Sequence, residues 1–130
     1  MIKTSSAAVD QSFDMAVDGD IIHLITRGHP TTDNVFEPVD AALALADKKR
    51  VDKLLDDIRG VDSAWVDLPV QTKAMGVIWK LRRFKKVAIV LKKESELNQL
   101  LMGALTALKI TSKIKSFDSE DTARAWLGQS

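Results

Sequence analysis

The chain has 130 residues, 45% of them apolar and 28% charged, a composition that predicts one globular domain and not a disordered chain. Nineteen basic and eighteen acidic residues nearly cancel, so no overall field would attract nucleic acid. The lack of cysteine excludes disulfides, thiolate nucleophiles and cysteine-ligated metal sites.

The amino-terminal part predicts a loose end followed by a β-hairpin. Residues 1–10 show no periodicity, and no stretch of the chain approaches the ~18 apolar residues of a membrane span. We therefore expect a single cytoplasmic domain over residues 1–130 with a flexible terminus at 1–10. Alternating apolar residues over 12–17, a turn at Gly19 and a denser apolar run over 21–25 predict two strands, the first at the sheet edge.

Helices and strands alternate through the rest of the chain. The first helix is predicted from apolar spacing over 35–46 with Thr32 as N-cap, and Pro38 either bends this helix or marks its true first turn. The later predictions are a strand at 53–58, a loop at 60–63, a helix at 68–82, a buried strand at 87–91, a helix at 94–109, a strand at 112–117 and a helix capped by Ser119. The order β-β-α-β-α-β-α-β-α predicts an α/β fold with a mixed, mostly parallel five-stranded sheet and four helices.

Three segments resemble the STAS domain, in its SpoIIAA-like (STAS/SEC14-type) branch of bacterial proteins. They are Lys53–Val61, Arg83–Val90 and Ile114–Leu127, and the resemblance extends over most of the chain from Gly19. It implies five strands and four helices, in a family with anti-anti-sigma factors, transporter regulatory domains and proteins similar to lipid-binding Sec14 domains.

The carboxyl ends of parallel strands meet at one edge of the sheet, and after the third strand we expect a partner or switch surface there, formed by Asp57, Arg59, Asp62, Ser63 and Trp65. Anti-anti-sigma members carry a phosphorylatable serine in an Asp-Ser-Ser-Gly-like motif there. Here Asp62 and Ser63 are present, whereas the second serine and the glycine are missing. A phosphate on Ser63 would lie favourably near a helix N-terminus, but the incomplete motif makes this the less favoured interpretation. Trp65 is interpreted as a recognition anchor or as a plug at the end of the sheet.

No set of residues has the pattern of an active site. His29, Asp62 and Ser63 lack the Gly-x-Ser-x-Gly turn and oxyanion donors that a hydrolytic triad needs. Two histidines without further ligands do not predict a metal site, and the adjacent Asp56 and Asp57 point to opposite faces of their strand. We therefore expect neither an enzyme nor a cofactor.

The helices at 68–82 and 94–109 carry large apolar residues beyond their core stripes. These residues, with the basic ones beside them, are Met75, Trp79, Arg82, Arg83, Leu100 and Met102. Such surfaces cover a core, join two copies of a chain, or meet an apolar ligand or membrane. All three interpretations stay open.

Two functions follow from these patterns. The leading hypothesis is a non-enzymatic regulatory domain that acts by protein contact near the loop after the third strand. The alternative is a small Sec14-like carrier or sensor of an apolar or lipid ligand, associated peripherally with membranes through the helices at 68–82 and 94–109.

Overall fold

The computed structural model describes residues 10–62, 68–93 and 95–129, which form five strands and four helices in the predicted order. The elements are β1 (Ser12–Asp18), β2 (Ile21–Gly28), α1 (Glu37–Lys49), β3 (Lys53–Val61), α2 (Leu68–Leu81), β4 (Lys86–Val90), α3 (Glu96–Leu108), β5 (Ile114–Phe117) and α4 (Glu120–Leu127).

The strands form one sheet in the order β1-β2-β3-β4-β5. β1 is antiparallel to β2 across a turn in which Gly19 has a φ of 65°, and the other neighbours are parallel. The predictions of an edge position for β1 and a mostly parallel sheet are confirmed. β3 lies at the centre, so its alternate side chains reach both faces of the sheet.

Helices cover the two faces unequally. On one face α1, α2 and α3 pack over Ile22, Leu54 and Val87, which are fully buried. On the other face only α4, of the described helices, packs against the sheet, burying Ala123 and Leu127 against the side of β3 and β4 that carries Leu55, Ala88 and Val90. Ser119 caps α4 by accepting a hydrogen bond from the Thr122 backbone N–H at 3.3 Å, as predicted.

The predicted N-cap of α1 is wrong. The helix begins at Glu37, Phe36 is the cap residue without a side-chain cap bond, and Thr32 lies in the preceding turn. In this turn the Thr31 backbone N–H donates to Asn34 Oδ1 at 2.7 Å. Pro38 occupies the first turn, where its missing N–H costs no helical bond, so the proline and not the threonine marks the start.

The predicted loop at Gly60 is also wrong, because β3 continues to Val61. The register between β2 and β3 shifts between Ile25 and Arg27, and Gly60 pairs with Arg27. A Cβ at position 60 would lie 2.9 Å from the Arg27 Cβ. Glycine is therefore needed here for a close approach of two strands and not for a turn.

α2 packs on the neighbouring helices and stands partly off the sheet. Of its predicted core stripe, Val70 and Leu81 are buried at the two ends of the helix, whereas Ala74, Val77 and Ile78 between them are only half-buried. Gly76 lets α2 approach α1, since a Cβ there would lie 3.0 Å from the Phe36 ring. The space that this leaves above the sheet is the candidate site. No described helix is long and apolar enough to cross a bilayer.

We predict that two leucines of α3 differ in their contribution to stability. Leu105 is 1% exposed in the core, whereas Leu97 is half-buried beside the open space. Leu105→Ala should cost about 2–5 kcal/mol in the free energy of unfolding and Leu97→Ala about 1 kcal/mol, measured by urea denaturation. Equal losses of unfolding free energy in the two variants would contradict an open space beside Leu97.

Candidate functional site

A cavity of about 370 Å³ lies between the sheet and the three helices that cover one face. Its walls are almost entirely apolar. The described lining comes from Gln11, Thr26, Pro30, Val35, Pro38, Val39, Asp56, Ile58, Val61, Leu68, Gln71, Thr72, Ala74, Met75, Val77, Ile78, Leu81, Ile89, Leu97, Leu100, Leu101 and Ala104.

The cavity opens between α2 and α3. Leu68, Met75 and Leu100 line it and are nevertheless 72%, 37% and 43% exposed, so they form its rim. Large exposed apolar side chains around a concave apolar space are typical of ligand sites. The volume, at about 30 Å³ for each water-sized group, accommodates about a dozen non-hydrogen atoms.

Asp56 and Thr26 supply the polar atoms on the sheet side of the cavity. They lie on adjacent strands, and Thr26 Oγ1 donates a long hydrogen bond of 3.5 Å to Asp56 Oδ1. Burial raises the pKa of the Asp56 carboxyl to about 7, although the Thr26 bond lowers it; the negative charge of Asp57 adds to the rise. Near neutral pH this carboxyl is therefore protonated in a large fraction of molecules.

Asp57 points to the opposite face and has a different chemistry. Arg59 Nε and Nη2 donate to its two carboxylate oxygens at 3.0 and 2.7 Å, and the Arg59 backbone N–H adds a third bond at 3.1 Å. Burial raises the pKa of Asp57, but the bonds and charge of Arg59 outweigh it and hold the pKa below its usual value.

The predicted partner surface is only partly assembled by the described residues. Arg59 and Asp62 border a second depression of about 340 Å³ at the carboxyl end of the sheet, together with Lys92 and Ser95. Asp57 is buried and held by Arg59. The predictions for Ser63 and Trp65 fall outside the described residues.

The six residues predicted for an apolar-ligand or membrane surface do not form one patch. Met75 and Leu100 both line the rim of the cavity. Trp79 is 47% exposed and stacks with the Arg82 guanidinium at 4.1 Å from the ring centre. Met102 lies beside β5, with its sulfur 3.6 Å from Ser116 Oγ.

Arg83, which follows Arg82 in the chain, lines a separate depression together with Arg50 and Asp52 near the end of α1. Only two of the six residues therefore lie at the cavity, and membrane contact stays a prediction.

Sequence reasoning missed Asp56 and Thr26 as site residues. The signal was present, since Leu54, Asp56 and Ile58 alternate along β3 and must share a face. A carboxyl between two core residues indicates either a buried partner or an open space beside it.

Comparisons with known proteins agree with the fold. The family model described as SpoIIAA-like matches residues 21–128. A search of curated proteins gives no significant match.

Three solved structures are similar to this chain. An anti-sigma factor antagonist from Mycobacterium paratuberculosis is 10% identical with a TM-score of 0.62, over 92% of this chain and 95% of that one. The protein TM1081 is 12% identical with a TM-score of 0.59, over 92% and 90%. A protein with a SpoIIAA-like fold from Shewanella loihica is 21% identical with a TM-score of 0.48, over 95% and 98%. At these identities the likeness to the first two structures shows the fold alone.

We predict that Asp56→Asn stabilises the protein at high pH. The folded state holds the Asp56 proton with a pKa of about 7, against about 4 when unfolded, so the contribution of Asp56 to wild-type stability is greatest below pH ~4 and is lost as pH rises from there to about 7. The amide does not titrate. At about pH 8 the variant should be more stable than wild type by at least ~1 kcal/mol, and near pH 4 the two should be equal in urea denaturation.

Asp57→Asn is the matched control, and it should change the free energy of unfolding at high pH in the opposite direction. Because its folded pKa is lowered, ionised Asp57 contributes stability above pH ~4 that is lost as pH falls further. The variant should lose about 1–3 kcal/mol at pH 8, with a smaller loss near pH 3. Destabilisation by both variants at pH 8 would contradict the assignment of Asp56 to the cavity.

Proposed function

The chain belongs to the SpoIIAA-like family, and from that premise we propose that it is a small regulatory domain that holds one apolar ligand in its cavity. The observation that carries the proposal is the 370 Å³ apolar space between the sheet and α1, α2 and α3. We propose no catalytic role for the described residues.

The size and lining of the cavity support a ligand. Protein interiors pack densely, and empty apolar volume costs stability in proportion to its size. A volume of 370 Å³ lies within the range of about 300–1,000 Å³ that small-molecule sites occupy. Filling it would bury the exposed rim formed by Leu68, Met75 and Leu100 and the half-buried inner face of α2.

Native mass spectrometry tests this proposal. Protein purified from cells without denaturation should carry an added mass that is released on unfolding and extracts into organic solvent. Ala74→Phe places a ring in the cavity, because Ala74 lines it, and should abolish the added mass. Ala44→Phe on the exposed side of α1 is the control and should retain it. An unliganded wild type that also fails to bind apolar compounds in titration would contradict the proposal.

A second function, contact with a protein partner, is favoured by the carboxyl end of the sheet. Arg59, Asp62 and Lys92 are exposed around the 340 Å³ depression there. One protein of similar fold is named as an anti-sigma factor antagonist, which supports a partner of this kind. Opposite charges around a shallow depression give orientation and specificity to a protein contact.

The two functions are compatible, because the cavity and the depression share walls. Ile58, Val61 and Leu97 border both spaces. A ligand that moves these side chains changes the shape of the partner surface, which would make the domain a sensor. The ligand can shift the equilibrium between the two shapes by no more free energy than the difference between its binding free energies for them.

Charge reversal tests the partner surface. Asp62→Lys and Lys92→Glu should each reduce recovery of a specific partner in a quantitative pull-down by about tenfold, the loss expected for about 1.4 kcal/mol. Lys49→Glu, an exposed lysine at the end of α1, is the control and should bind normally. Equal recovery by all four proteins would show that any partner binds elsewhere.

A further inference from the structure

The cavity has one titratable group among its described lining residues, the Asp56 carboxyl. The described residues that line it from α1, α2 and α3 are apolar or uncharged, and none is lysine, arginine or histidine. The charged group that acts on the pKa of Asp56 is Asp57, which points to the opposite face and is paired with Arg59. Asp56, at the floor formed by β2 and β3, is therefore the one group of the described lining that can carry a charge, and the other polar lining residues, Gln11, Thr26, Gln71 and Thr72, are neutral.

The hydrogen bonding of Asp56 leaves one oxygen available. Oδ1 accepts from Thr26 Oγ1, and Oδ2 has no hydrogen-bond partner among the described residues. A protonated carboxyl that accepts on one oxygen carries its proton on the other and can donate it. Asp56 is half-buried, so water in the open cavity can reach this oxygen, and a ligand that supplies an acceptor gains affinity by replacing that water with a hydrogen bond in an apolar space.

We propose that the ligand is a neutral amphiphile that places a hydrogen-bond-accepting oxygen, such as that of a ketone, ester or alcohol, on the protonated Asp56 carboxyl. This proposal rests on the apolar-ligand function proposed above and names the ligand's head group. A carboxylate or phosphate head would lie beside an acid with no cation in the described walls. Ionisation of Asp56 removes the donor and weakens binding, so the ligand is released as pH rises past neutrality.

Calorimetric titration with 2-decanone, whose eleven non-hydrogen atoms match the cavity volume, tests the proposal. Wild-type protein should bind it about tenfold more tightly at about pH 5.5 than at about pH 8.5, the change expected for one hydrogen bond. Asp56→Asn keeps an N–H donor and should bind equally at both pH values. Asp56→Leu keeps the fold and the apolar walls but lacks the donor, and should bind weakly and without pH dependence.

Two further probes distinguish the head groups. Decanoate should bind at least tenfold more weakly than 2-decanone at the higher pH, because two carboxylates would face each other. Tighter binding of decylammonium than of 2-decanone would overturn the proposal in favour of an ion pair with Asp56. Binding of 2-decanone that is equal at both pH values and unchanged in Asp56→Leu would overturn the head-group proposal alone. Failure of every probe would overturn the apolar-ligand function as well.

Discussion

The structure depends on one constraint, a carboxyl group on the core face of the central strand. Leu54 and Ile58 point toward the helices, and Asp56 between them must do the same. Burying a carboxylate without a cation costs several kcal/mol, so the pKa of this group rises to about 7 and a large fraction of molecules carry it protonated near neutral pH. The helices do not close over it; α2 rests on α1 and α3 and leaves an apolar space above the acid.

Asp56 and its neighbour Asp57 show that environment and not residue type decides the chemistry. Both are aspartates of β3, one residue apart. Asp57 receives three hydrogen bonds from Arg59 and stays ionised, whereas Asp56 has one long bond from Thr26 and a raised pKa. One carboxyl therefore anchors a charged surface, and the other lies within an apolar space where a neutral acid can act as a donor.

The order and type of the elements were predictable because periodicity records which face is buried. The unbroken apolar run of β4 and the Ser119 cap of α4 both hold in the structure. The start of α1 and the strand position of Gly60 were predicted wrongly. The first is decided by the turn bond between Thr31 and Asn34 and by Pro38, and the second by the close approach of Arg27 on the neighbouring strand. The cavity was predictable only as surplus apolar residues on two helices, since spacing along a helix does not reveal its distance from the sheet. Asp56 could have been found from its position between Leu54 and Ile58.

The most direct test of this account is the titration of the Asp56 side-chain carboxyl carbon by ¹³C NMR, assigned with Asp56→Asn. We predict a midpoint near pH 7 for Asp56 and, in the same spectra, a midpoint for Asp57 below its usual value. A midpoint for Asp56 near the ~4 of an exposed aspartate would contradict it, because the carboxyl would then be solvated and ionised and not a neutral donor in an apolar cavity.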